Sequence, residues 1–166
     1  KLEISANRIR PGIDPDRTEG FIPEYPGDRG QEWREFTAHA RSVSDPHLSE
    51  LLRRVFKLPG FTEAFRQATA AQRMHHVGAG GLLAHTLEVV NLCMAVAERT
   101  PRLRRDLLLT GAILHDIGKI DEMEMARADF GATVDGGLVG HVVMGAAKVQ
   151  RVIEDMPDFP ANLRAA

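Results

Sequence analysis

Residues 107–119 read LLLTGAILHDIGK, an apolar helical repeat that ends on an adjacent histidine and aspartate. The spacing predicts a helix from about Arg102 to Asp116, opened by Thr100-Pro101 and closed by Gly118 as a C-cap. On that helix His115 shares a face with Leu108, Gly111 and Ala112. Asp116 stands about 100° further round the axis. Close to a helix end, both side chains can still reach one cavity.

Working outward, two other stretches carry histidine at helical positions. Upstream, residues 75–90 read HHVGAGGLLAHTLEVV, a glycine-rich turn that opens a long helix over 82–99. His85 lies on the stripe of Val89, Leu92 and Val96. Downstream, residues 136–145 read GGLVGHVVMG, where His141 stands four before Gly145 on a helix beginning near Leu138. Helical spacing points His85, His115 and His141 toward a bundle interior, where each needs a hydrogen-bond partner or a metal. Gly111 and Gly145 are read as places where helix backbones approach closely.

The remaining pattern completes an all-α bundle. Trp33, Phe36, Thr37, Ala40 and Val43 share one face of a helix over 31–43. Asp45-Pro46 supplies a cap and a first-turn proline for a helix with Leu48, Leu51, Leu52 and Val55. Leu58-Pro59-Gly60 stops it, and Phe61, Ala64, Phe65 and Ala68 line a third helix. Between 120 and 135 the period breaks, and Met123, Met125 and 130–134 suit a small β-hairpin. Residues 1–30, rich in Pro and Gly, read as an extended connector from a preceding domain. Residues 31–166 read as the helical domain.

Composition narrows the possibilities further. A chain of 166 residues buries roughly 70% of its unfolded surface, enough for one core. Hydrophobic residues are 43% and charged residues 27%, with a net charge of -2. These values exclude a collagen, a coiled-coil rod and a strongly basic nucleic-acid arm. Cys93, the single cysteine, excludes a disulfide framework and any multi-cysteine metal site; it reads as core. Histidine is the oddity: five of the seven fall between His75 and His141. No apolar run reads as a membrane helix, and the opening KLEISANRIRPG, without methionine, is not a signal peptide. The chain is therefore expected to be a cytoplasmic segment of a longer protein.

The three histidine stretches together resemble the HD superfamily of metal-dependent phosphohydrolases. Taken with the Arg-Ile-Arg-Pro connector at 8–11 and Trp33, they are most similar to the HD domain of the YhaM-type 3′→5′ exoribonucleases. In that family the connector follows an OB-fold domain that binds nucleic acid. The resemblance implies an HD-domain helical bundle that uses metal-activated water on a phosphodiester. It implies one or two divalent ions of the Mn, Fe, Zn, Co or Mg class. His85, His115 and Asp116 match the metal ligands, His141 the additional histidine of dinuclear members, and Lys119 the lysine that meets a substrate phosphate. Asp116 and Lys119 are thus the expected catalytic residues, and His75 and His76 the expected substrate contacts beside Lys119. The family's later histidines and final aspartate have no matching positions, so the domain is expected to be C-terminally incomplete and the segment inactive by itself. RNA or another phosphate ester is the expected partner, without a membrane. The alternatives are an HD hydrolase of nucleotides or cyclic dinucleotides, and a non-catalytic module that binds a nucleotide or a partner.

Overall fold

The computed structural model describes residues 25–70, 78–126 and 129–164. The expected connector over 1–30 lies outside these as far as residue 24. Helices α1 (Arg29–Arg41), α2 (Pro46–Phe56) and α3 (Phe61–Gln67) precede the long α4 (Gly81–Arg99) and α5 (Arg105–Leu114). A one-turn α6 (Lys119–Glu122) leads into strands β1 (Met123–Ala126) and β2 (Asp129–Ala132). Then follow α7 (Val134–Val139), α8 (His141–Glu154) and the short α9 (Ala161–Arg164). The architecture is all-α with one antiparallel hairpin, in which Met123 faces Ala132 and Ala126 faces Asp129.

Local chemistry sets most boundaries. Asp45 caps α2 by accepting from the backbone N–H groups of His47 and Leu48, with Pro46 at the first position. The periodic residues Leu48, Leu51, Leu52 and Val55 are all buried. Phe36, Phe56 and Phe65, from α1, α2 and the expected third helix, meet at ring-centroid separations of 5.2–5.4 Å. Helix α4 packs against α1, α3 and α5 and forms the axis of the bundle.

Three expectations are corrected. Thr100-Pro101 does not open α5: Thr100 closes α4, a turn follows, and α5 begins at Arg105 after Arg104, which makes no side-chain cap. The helix expected from Leu138 is broken at Gly140, whose φ of 80° is unfavourable for other residues, so His141 starts α8. The buried stripe of α4 is Leu83, Leu87 and Val90, whereas Leu92 and Val96 are exposed. Helix α4 is apolar nearly all round, so periodicity alone did not select its inner face. By length and composition α4 also passes for a membrane-crossing helix, but its inner face is part of this core.

The α1–α2 loop is tied to α5 by one carboxylate. Asp106 accepts from Ser44 N, Ser44 Oγ and Asp45 N at 2.7–2.8 Å. Burial pushes its carboxyl up, but these donors outweigh burial and hold it below the ordinary value of 3.8. Asp106→Asn is expected to cost about 1–2 kcal/mol near neutral pH, as for loss of charge-assisted hydrogen bonds. A depressed carboxylate stabilises fully above its unfolded pKa and loses that contribution as pH falls through the folded value. The gap between wild type and variant in urea midpoint should therefore be constant at pH 6–8 and close below the unfolded value of about 3.8.

Candidate metal centre

Three elements converge on Asp116. His85 is the fifth residue of α4, a helix that the chain enters through Gly80 at φ 88°. His115 and Asp116 follow the last residue of α5, in tight turns marked by Ile117 N to Leu114 O and Lys119 N to Asp116 O. These turns bring the neighbouring side chains to one place. His141 is the first residue of α8, held against the turn by a backbone contact. A Cβ on Gly118 would lie 2.0 Å from His141 O and 2.6 Å from Gly145 N. Gly145 is thus the expected close approach, with Gly118 as its partner. Gly111 is not one, since no atom of the described residues lies within 4 Å of a Cβ there.

The distances are regular. His85 Nε2, His115 Nε2 and Asp116 Oδ2 form a triangle with every edge 3.3 Å. His141 Nε2 approaches the other oxygen, Asp116 Oδ1, at 3.4 Å. Lys119 Nζ lies 3.2 Å from Asp116 Oδ2 and donates to Ala70 O. His115 Nδ1 is 2.9 Å from Ala112 O. A carbonyl can only accept, so the neutral ring carries its proton on Nδ1 and turns the Nε2 lone pair into the triangle. Bonds of roughly 2.0–2.2 Å to one ion place adjacent donor atoms about 3.0–3.5 Å apart. The triangle therefore fits a divalent cation, and its imidazole and carboxylate donors suit the transition-metal class.

The histidines are less interior than the helical spacing suggests. Asp116 is buried, but the side chains of His85, His115 and His141 are 29%, 33% and 30% exposed. The cluster opens on the surface with the carboxylate at its base, an arrangement that admits a substrate. Burial pushes the Asp116 carboxyl up. A hydrogen bond from the protonated form of His115, with the charges of that form and of Lys119, reverses that and holds it well below the usual carboxylate range. Contact with Asp116 in turn raises His115, against the effect of burial.

Glu122 was missed by the sequence reading. Its Oε2 lies 2.9 Å from His141 Nδ1, and its Oε1 accepts from His141 N at 3.1 Å. A carboxylate shortly after the His-Asp pair was the only available signal. His75 and His76 lie outside the described residues. The amides of Gly80, Gly81 and Leu82 at the start of α4 donate to Gln67 O, Gly78 O and Ala68 O. Of the arginines near α5, Arg105 binds Ser42 O, Ser42 Oγ and Asp106, a structural role. Cys93 packs against the core.

Curated relatives include the 3′-5′ exoribonuclease YhaM of Bacillus velezensis, 27% identical over 93% of this chain and 49% of its own length. The proteins of the same name from Bacillus licheniformis and Listeria innocua are each 28% identical, over 93% and 94% of this chain and 49% of their own length. The chain thus spans about half the length of the curated relatives it matches. No solved structure matches it significantly. The family model described as the HD domain matches residues 82–163, which include His85, His115, Asp116, Lys119 and His141. That segment, and with it the whole histidine cluster, belongs to the HD domain family.

Proposed function

We propose that the protein is a metal-dependent phosphodiesterase that removes nucleotides from RNA as a 3′→5′ exoribonuclease. The 3.3 Å triangle of His85, His115 and Asp116 carries this reading, and the name shared by the relatives supports RNA as the substrate. In this reading His85, His115 and Asp116 Oδ2 hold a divalent ion, and His141 with Asp116 Oδ1 offers donors for a second. When bound, such an ion lowers the pKa of water toward neutrality and offsets charge on a phosphoryl oxygen.

The chain's own groups have separate tasks. Asp116, kept ionised by its neighbours, supplies the negative charge that cations require. Lys119 spends two donors on Asp116 and Ala70, and its third is assigned to a substrate phosphate oxygen. His75 and His76 are retained as substrate contacts. An RNA substrate also agrees with action in the cytoplasm.

The test uses the native protein and RNA labelled at its 5′ end. Mn²⁺-dependent shortening from the 3′ end is expected, and His115→Ala should slow it at least about 100-fold through loss of a ligand and its metal. Wild-type rates in His115→Ala, or no shortening by the native protein with any divalent ion, would overturn the reading.

A further inference from the structure

Glu122 touches the cluster without being one of its expected ligands. Its Oε2 is 2.9 Å from His141 Nδ1, a buried ring nitrogen that has no aligned hydrogen-bond partner among the described residues. At that distance the charge of the Glu122 carboxylate disfavours a bare nitrogen and favours a proton on Nδ1. In the neutral ring the proton therefore belongs on Nδ1. The Nε2 lone pair then faces Asp116 Oδ1 at 3.4 Å. Two such electron-rich atoms repel until a cation lies between them.

Glu122 is itself firmly set. Its carbonyl accepts from Thr133 N at 2.8 Å, and Thr133 Oγ1 donates to Asp121 O at 3.0 Å. On the same side α7 approaches so closely that a Cβ on Gly136 would lie 2.4 Å from Glu122 O. On the other side Glu122 Oε1 holds His141 N. The hairpin and α7 thus clamp the carboxylate against the start of α8. His115 is oriented differently, by the neutral carbonyl of Ala112. A carboxylate partner raises the basicity of an imidazole ligand and fixes its ring, so the two histidines are unequal donors.

We propose that Glu122 is a positioning residue that locks His141 in the Nδ1–H tautomer and strengthens the His141–Asp116 edge for a divalent cation. The proposal rests on the metal-centre reading above. Its test uses the 166-residue chain, ¹⁵N-labelled and metal-free at pH 8, with Glu122→Gln, Glu122→Ala and His141→Ala. The ring signals missing from His141→Ala identify His141. They should report a single Nδ1–H tautomer in wild type and in Glu122→Gln, whose amide oxygen still accepts, and a mixture in Glu122→Ala. Co²⁺ titration should show the binding step lost in His141→Ala weakened about 10–100-fold in Glu122→Gln, with the tautomer unchanged. An Nε2–H tautomer in wild type, a tautomer unchanged in Glu122→Ala, or wild-type Co²⁺ affinity in Glu122→Gln would overturn the proposal. A wild-type chain that binds no Co²⁺ overturns the metal-centre reading and the affinity half of this proposal, while the ring signals still decide whether Glu122 positions His141.

Discussion

Gly118→Ala is expected to destabilise the chain by roughly 3 kcal/mol, the upper part of the range for overpacking a close contact. The added Cβ would meet His141 O at 2.0 Å, Gly145 N at 2.6 Å and His141 C at 2.8 Å. All three are backbone atoms, so no side-chain rotation relieves the contact. Either the turn after α5 or the start of α8 must move by an ångström or more. His141 is the first residue of α8, so the same movement carries its ring away from Asp116. The variant should therefore lose cation affinity as well as stability, although Gly118 ligates nothing. Gly111→Ala is the control. It lies within exposed α5 surface with no atom of the described residues within 4 Å of the new Cβ, and should stabilise by about 0.5–1 kcal/mol through helix propensity. Thermal or urea denaturation of both variants measures the contrast, and similar midpoints for the two would refute the backbone-contact account.

This contact also marks where the sequence stops being informative. Elements built from local rules were legible: the Asp45-Pro46 cap, the stripe Leu48–Leu51–Leu52–Val55, and the hairpin after Lys119 were all read correctly. The site was legible in part because its residue types are unusual for helix interiors and recur on separate helices. What was not legible depends on how distant elements meet. Gly118 was read as a cap because nothing local reveals a helix crossing 23 positions later, at His141. Glu122 reaches His141 only because β1, β2 and α7 return the chain to α6. The inner face of α4 was misassigned because Leu92 and Val96 are as apolar as Leu87 and Val90. The exposure of the His115 and His141 rings follows from their places at helix ends, which periodicity cannot resolve.

Asp116→Asn is expected to give the largest functional loss. Asp116 is the one group that every other member of the cluster approaches: His85, His115 and Lys119 at Oδ2 and His141 at Oδ1, all between 3.2 and 3.4 Å. Asparagine keeps the shape but removes the charge, and its NH₂ must face one of these two sets. If it turns toward His141, that edge loses the oxygen that would meet a cation; if toward His85 and His115, the triangle does. In either orientation a cation meets at most one neutral oxygen where it had a shared anion. Divalent-ion-dependent RNA shortening should fall by about 10³-fold or more, some 4 kcal/mol in barrier height. Folding should suffer as well. The carboxylate is ionised because its surroundings favour the charge, so its loss leaves Lys119 without its counter-charge and costs about 2 kcal/mol near neutral pH. Calorimetric titration with Mn²⁺ at pH 7.5, beside urea denaturation of the same sample, separates the two effects. Wild-type Mn²⁺ affinity in a folded Asp116→Asn chain would show that the cluster is held together for a purpose other than binding a cation.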